Sequence, residues 1–169
     1  KYVSDVDHFH HIVHIPSALN SMEKVYDDVD SNAVMDIGAM SLLLSICASS
    51  TYAWSYQDDG RLLYASTTEA RSQASSWLKA ALDVMDHAQR TAHTSLECIQ
   101  GMIILFFVFC NIEGLSQRAR ALHARSIAMA RELSLHRIDA PNTPDVAKMT
   151  TTTIESSRRV WWFLVATDW

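Results

Sequence analysis

SLECIQGMIILFFVFCNIEG, residues 95–114, is the stretch that decides how this 169-residue chain folds. From Met102 to Cys110 it holds nine residues with no polar group stronger than a thiol. That is far short of the ~20 apolar residues that span a bilayer. Gln100 and Asn111 bound the run, which therefore reads as a helix buried on all sides. Thr94 and Glu97 have capping-box spacing and predict its start. The helix is expected to reach Ile112, with Asn111–Ser116 a turn around Gly114. A helix apolar all round needs other helices on every side.

Working outward, the same spacing recurs. Ser31 or Asn32 is expected to cap a helix with inner positions Val34, Ile37, Met40, Leu44, Cys47 and Thr51. Gln57–Arg61 reads as a turn. Ser66 and Glu69 form a second capping box, followed by a stripe of Ala70, Ala74, Trp77, Ala81, Leu82 and Met85. After Gly114, Leu115, Ala119, Leu122, Ser126, Met129 and Leu133 share one face. Asp139–Asp145 carries two prolines and an asparagine and is expected to be a loop. A Thr-rich stretch leads to a last helix starting near Thr153. With 4 Gly, 3 Pro and no Pro between Ser17 and Ala140, the chain is read as all-α. Short connections predict an antiparallel bundle of about seven helices, cut short at its C-terminal end. No β-hairpin or βαβ pattern is present, which argues against most nucleotide-binding folds.

Charge and cysteine content narrow the function. The net charge of −5 gives nucleic acid no general attraction. Cys47, Cys98 and Cys110 are scattered among apolar residues, without a CxxC pair, so neither a disulfide framework nor a zinc site is expected. Residues Lys1–His14 lack the pattern of a secretory signal. No GxSxG elbow, glycine-rich phosphate loop or supported carboxylate pair occurs, and no enzyme is predicted.

Three local features carry chemistry. HFHHIVH, His8–His14, would put His10 and His14 on one face of a helix. Without a third ligand and with no HExxH pattern, the segment reads as a part-buried helix instead of a metal site. Arg118, Arg120, Arg125, Arg131 and Arg137, with His123 and His136, form a basic stripe. It reads as a solvated face paired with acids elsewhere, over a phosphate-binding face. Finally, in ESSRRVWWFLVATDW, residues 155–169, Glu155 can pair with Arg158 or Arg159. Trp162, Val165, Ala166 and Trp169 share one face, and Trp161, Leu164 and Asp168 another. Such a helix is expected to sit between others, with Trp161 and Trp162 as core wedges. Glu155, Arg158 and Arg159 would tether it to the helix ending at His136.

The ordered set of these motifs is more specific than any one of them. Ser95, Leu96 and Gln100 open the first. Ala128, Ala130, Leu133, Leu135, His136 and Arg137 follow about twenty residues after it. Glu155, Arg158, Arg159, Trp161, Trp162 and Asp168 close the set. Their order and spacing resemble the middle regulatory region of fungal binuclear zinc cluster transcription factors, the fungal-specific transcription factor domain. His10–Leu19 looks like that family's opening segment and Asp36–Ser50 like its first long buried helix. Ser134 departs from the family, which usually has Gly there to stop the helix.

The resemblance implies that residues 1–169 are part of one regulatory domain, with the DNA-binding zinc cluster outside this chain. It implies zinc only in that missing module and no cofactor here. DNA would be bound only through that module, in the nucleus, with no membrane. A small-molecule effector, a protein partner or a homodimer are the remaining partner classes, and no ligand-binding residues are assigned. Glu155, Arg158, Arg159, Trp161, Trp162, Asp168, His136 and Arg137 form the candidate regulatory or structural motif, read as a structural clamp over a direct effector contact. The implied function is an effector-responsive module controlling RNA polymerase II transcription. The alternative is an interaction or dimer-support scaffold without a small-molecule site.

Overall fold

The computed structural model describes residues 1–55, 57–58, 63–140 and 149–168. Among them are six α-helices and no strand: α1 (Ile15–Asp30), α2 (Ile37–Tyr52), α3 (Thr67–Arg90), α4 (Leu96–Glu113), α5 (Gln117–Glu132) and α6 (Thr151–Ala166). Short helical turns precede α1, a π turn at Tyr2–Val6 and a 3-10 turn at Asp7–Phe9, and a 3-10 turn at Leu135–Arg137 follows α5. The all-α bundle expected from the spacing is thus the architecture found.

α2 and α4 are its centre. Both are apolar around their whole circumference, and most of their residues are buried. α2 packs on α3 and α4, α4 also packs on α5, and α6 closes against α4, α5 and the Leu135–Arg137 turn. By length and composition α4 is apolar enough to cross a bilayer, yet 61% of it is buried inside the protein. Ile99, Ile103, Ile104 and Leu105 have no accessible surface. Gly101 explains how α4 comes so close to its neighbours. A Cβ there would lie 2.9 Å from Ser45 Oγ and 3.2 Å from the Ser41 carbonyl oxygen. Ser41 and Ser45 are completely buried. The Ser45 hydroxyl is satisfied by donating to the Ser41 carbonyl at 2.7 Å, as a buried hydroxyl must be.

Helix starts follow local chemistry. Ser66, Ser95, Ser116 and Thr150 each accept a hydrogen bond from the backbone N–H three residues on. Three expectations need correction here. The cap of α4 is Ser95, one residue later than expected, because Thr94 turns away to donate to Glu132 at 3.0 Å. α2 is capped by Asp36, whose carboxylate accepts from the Ala39 N–H at 3.1 Å, and Val34 lies outside it, 96% exposed. Ser31 instead ends α1, a helix the apolar spacing did not show, whose first turn admits Pro16. Leu115 is exposed in the turn before α5 and does not join its stripe.

The end of α5 shows how a missing glycine is managed. Ser134 itself takes the left-handed conformation, φ 58°, ψ 26°. The chain reverses there as the Gly-bearing pattern would, at the cost of a Cβ in a crowded region. The expected loop at Asp139–Asp145 falls outside the described residues beyond Ala140, and most of the Gln57–Arg61 turn does so too.

Candidate functional site

The reversal at Ser134 lays the turn Leu135–Arg137 across α6. Leu135 is buried in the core, which fixes the turn. Asp139, two residues after it, then faces Arg158 of α6. The Arg158 guanidinium donates from Nε to both Asp139 oxygens, at 3.0 and 3.2 Å, and from Nη2 to one of them at 2.6 Å. Its Nη1 donates to Glu155 at 2.6 Å, and Arg159 Nε donates to the other Glu155 oxygen at 2.9 Å. Two arginines and two carboxylates therefore form one array. Arg159 and Arg158 hold the Glu155 carboxyl below its ordinary range, and Arg158 does the same to Asp139. These carboxylates, Asp139 first, raise the Arg158 guanidinium in turn. All four side chains are 38–54% exposed. Water screens such pairs, so the array orients α6 more than it stabilises the fold.

Arg159 Nη1 also reaches the His11 carbonyl oxygen at 3.5 Å. That ties α6 to the N-terminal segment. Gln100 ties α4 to the same segment: buried, it donates to the Ile12 carbonyl oxygen at 2.6 Å. The His136 ring lies 5.8 Å from Trp161, which packs against the core. Arg137 is exposed in the same turn. Between Thr151, Glu155, Arg159 and the His11–His14 segment lies a cavity of about 260 Å³.

Two members of the expected motif lie elsewhere. Trp162 is 59% exposed and is no core wedge. α6 buries one face, through Ser156, Ser157, Val160 and Leu164, and the step of 100° per residue turns Trp162 to solvent. Val165 is exposed beside it; Trp169 lies outside the described residues. Asp168 sits past the last turn of α6, where it lines a separate cavity with Arg120 and His123.

The histidine run is also not the helix expected. Its backbone leaves helical geometry at His10, and His11 has φ 46°. His14 caps α1, accepting from the Ser17 N–H at 3.4 Å. His10 is buried against Tyr2, Phe107 and Phe163. The basic stripe is mostly paired within the fold. Arg125 bonds Asp86 at 3.3 Å and the Met85 carbonyl oxygen at 2.5 Å. Arg118 pairs with Glu113 and lies 4.3 Å over the Phe109 ring. Sequence reasoning missed Asp139 and Gln100 as tethers. Both act across long sequence separations, which periodicity within one helix does not reveal.

Residues 1–168 match the fungal specific transcription factor domain family. The chain is similar to the probable transcription factor lepB of Aspergillus flavus, 39% identical over 179 residues, covering 100% of this chain and 31% of that protein. It is also similar to transcription factor TAS2 of Pyricularia oryzae, 31% identical over 99% of this chain and 22% of that protein. A third relative is the agnestins biosynthesis cluster transcription factor AgnL11 of Paecilomyces divaricatus, at 27% identity over 95% of this chain and 24% of that protein. The chain thus spans about a third or less of these relatives. No solved structure matches it at a significant level. On a match over nearly its full length, the chain belongs to the fungal specific transcription factor domain family.

Proposed function

We propose that this chain is the regulatory region of a fungal zinc cluster transcription factor acting on RNA polymerase II transcription in the nucleus. The observation that carries this reading is the family match over residues 1–168, with relatives named as transcription factors. In this reading DNA contact falls to a zinc cluster module elsewhere in a longer protein. The present residues form a bundle whose packing responds to an effector or partner. The geometry supports such a role. The Arg158 array joins α6 to the turn after α5 through part-exposed groups, and such contacts exchange for water at small cost. A switch needs contacts of that kind at the seam between two packings.

The test is a reporter assay of the longer protein beside thermal melts, for Arg158→Ala and Arg158→Lys. Arg158→Ala is expected to melt within a few degrees of wild type and to change reporter output several-fold. Lysine cannot bond Glu155 and Asp139 through one planar fork, so Arg158→Lys should restore output only in part. Unchanged output in both would reduce the array to scaffold. One observation favours a second reading, a dimer-support scaffold: Trp162 and Val165 are exposed together on α6. Sedimentation of wild type against Trp162→Glu separates the two, since a dimer built on this face would dissociate.

A further inference from the structure

The cavity that takes up Asp168 has the features of a built ligand site. It lies between α4, α5 and the end of α6 and holds about 360 Å³, within the ~300–1,000 Å³ range of small-molecule sites. Its walls are mainly apolar and include the rings of Phe106 and Phe107 together with Leu115. His123 is 8% exposed, and its Nε2 has no hydrogen-bond partner. Its ring is held in place by Phe106, 5.0 Å away at 33°. A buried ring nitrogen without a partner is what a ligand's polar group can satisfy. Burial holds the imidazole toward its neutral form, with Asp168 opposing this, so Nε2 can donate or accept according to tautomer. Arg120 adds a guanidinium whose Nη1 bonds the Leu115 carbonyl oxygen at 3.0 Å, which holds the charge over the same space. The Asp168 carboxylate lines the same cavity as an acceptor.

We propose that this cavity binds a small aromatic hydroxy acid: the ring system between Phe106, Phe107 and Leu115, the carboxylate on Arg120, the hydroxyl on His123 or Asp168. Arg120 supplies the counter-charge for the acid, and the hydroxyl supplies a hydrogen-bond donor that Asp168 or the partnerless His123 Nε2 can accept. The phenyl walls require a flat apolar body, because aromatic faces pack best on other rings. The arginine selects carboxylate over a neutral group by its forked geometry. The assignment rests on the regulatory reading above, as the place where an effector would enter.

The probe is a hydroxynaphthoic acid, titrated by calorimetry into the longer protein, with naphthol as the control lacking the carboxylate. The expected result is saturable binding of the acid at least about tenfold tighter than naphthol, roughly a 1.4 kcal/mol difference. Ala124 is exposed at the cavity mouth, so Ala124→Trp fills the space without disturbing the core and should weaken the acid by more than about tenfold. Arg120→Gln should bring acid and naphthol to similar affinity while naphthol is unchanged. Equal binding of acid and naphthol to wild type, undiminished binding to Ala124→Trp, or no binding at all would each overturn the proposal. The reporter assay keeps the two readings apart. No probe binding with an Arg158-sensitive reporter removes the pocket alone. Probe binding with a reporter indifferent to Arg158→Ala removes the regulatory reading alone.

Discussion

His10 is the residue whose surroundings most oppose its chemistry. Tyr2, Phe107 and Phe163 enclose its ring, and neither ring nitrogen has a partner. Burial lowers its pKa from 6.5 to about 4, against the pull of Asp7, with His11 and His8 adding to the fall. Above the ordinary value both the folded and unfolded chains are neutral at this position. Between that value and about 4 the unfolded chain takes up a proton that the folded chain refuses. Stability is therefore lost as pH falls through this window, by up to ~1.4 kcal/mol per unit. His10→Phe removes both the orphaned nitrogens and the slope. Urea titrations at about pH 7 and about pH 5 should show a smaller loss for this variant than for wild type, by ~1–2 kcal/mol. Equal losses would show that His10 is solvated. Ser134 offers the opposite kind of test. With φ at 58°, Ser134→Gly should raise stability by ~1 kcal/mol, because glycine accepts this conformation without steric cost. A lower melting temperature would mean that the serine side chain contributes more than its strain removes.

At the level of elements, the seam between α2 and α4 and the orientation of α6 set the predictions. Gly101 faces Ser45, Met85 and the Ser41 backbone oxygen. A methyl there would gain helix propensity of ~1 kcal/mol, but Gly101→Val forces three heavy atoms into the same gap and pushes α2 away. It should destabilise by more than ~2 kcal/mol in chemical denaturation. A mild effect would mean that the seam can open. On α6 the adjacent tryptophans divide the roles. Trp161→Ala should cost ~2–3 kcal/mol, because the ring is half buried against the core. Trp162→Ala should cost under ~0.5 kcal/mol, as its ring is largely in water. Similar melts for the two variants would place both rings in one environment and contradict this division.

The whole molecule is held at three levels of strength. The α2–α4 core is closed to solvent, with Ile99, Ile103 and Leu105 at no exposure. Around it, single polar tethers such as Gln100 to the Ile12 carbonyl oxygen position the N-terminal segment. At the rim, Asp139, Glu155, Arg158 and Arg159 join separate elements through groups that water also reaches. This gradient confines the readily exchanged contacts to the rim, as the proposed regulatory role would need. Core contacts are too costly to exchange, while rim ion pairs reorganise for little.

The composition and spacing of the chain were enough to fix the helical class, the buried character of Met102–Cys110 and the i,i+4 relation of Glu155 to Arg159. These are properties of one helix, and a period of 3.6 residues encodes them locally. The ordered motifs from Ser95 to Asp168 were enough for the family. Tertiary structure alone decided which face of α6 is buried, because Val160 and Leu164 compete with Trp162 for the same core and only packing resolves that competition. It alone brought Asp139 to Arg158 across nineteen residues, and Asp168 to the cavity that Arg120 and His123 of α5 line. α1 was hidden because a proline opens it and only Ala18 and Val25 are buried along it, too few to make a stripe. Long-range pairings of this kind depend on how the chain reverses at Ser134 and Gly114, and a reversal angle is not written in the residues that it brings together.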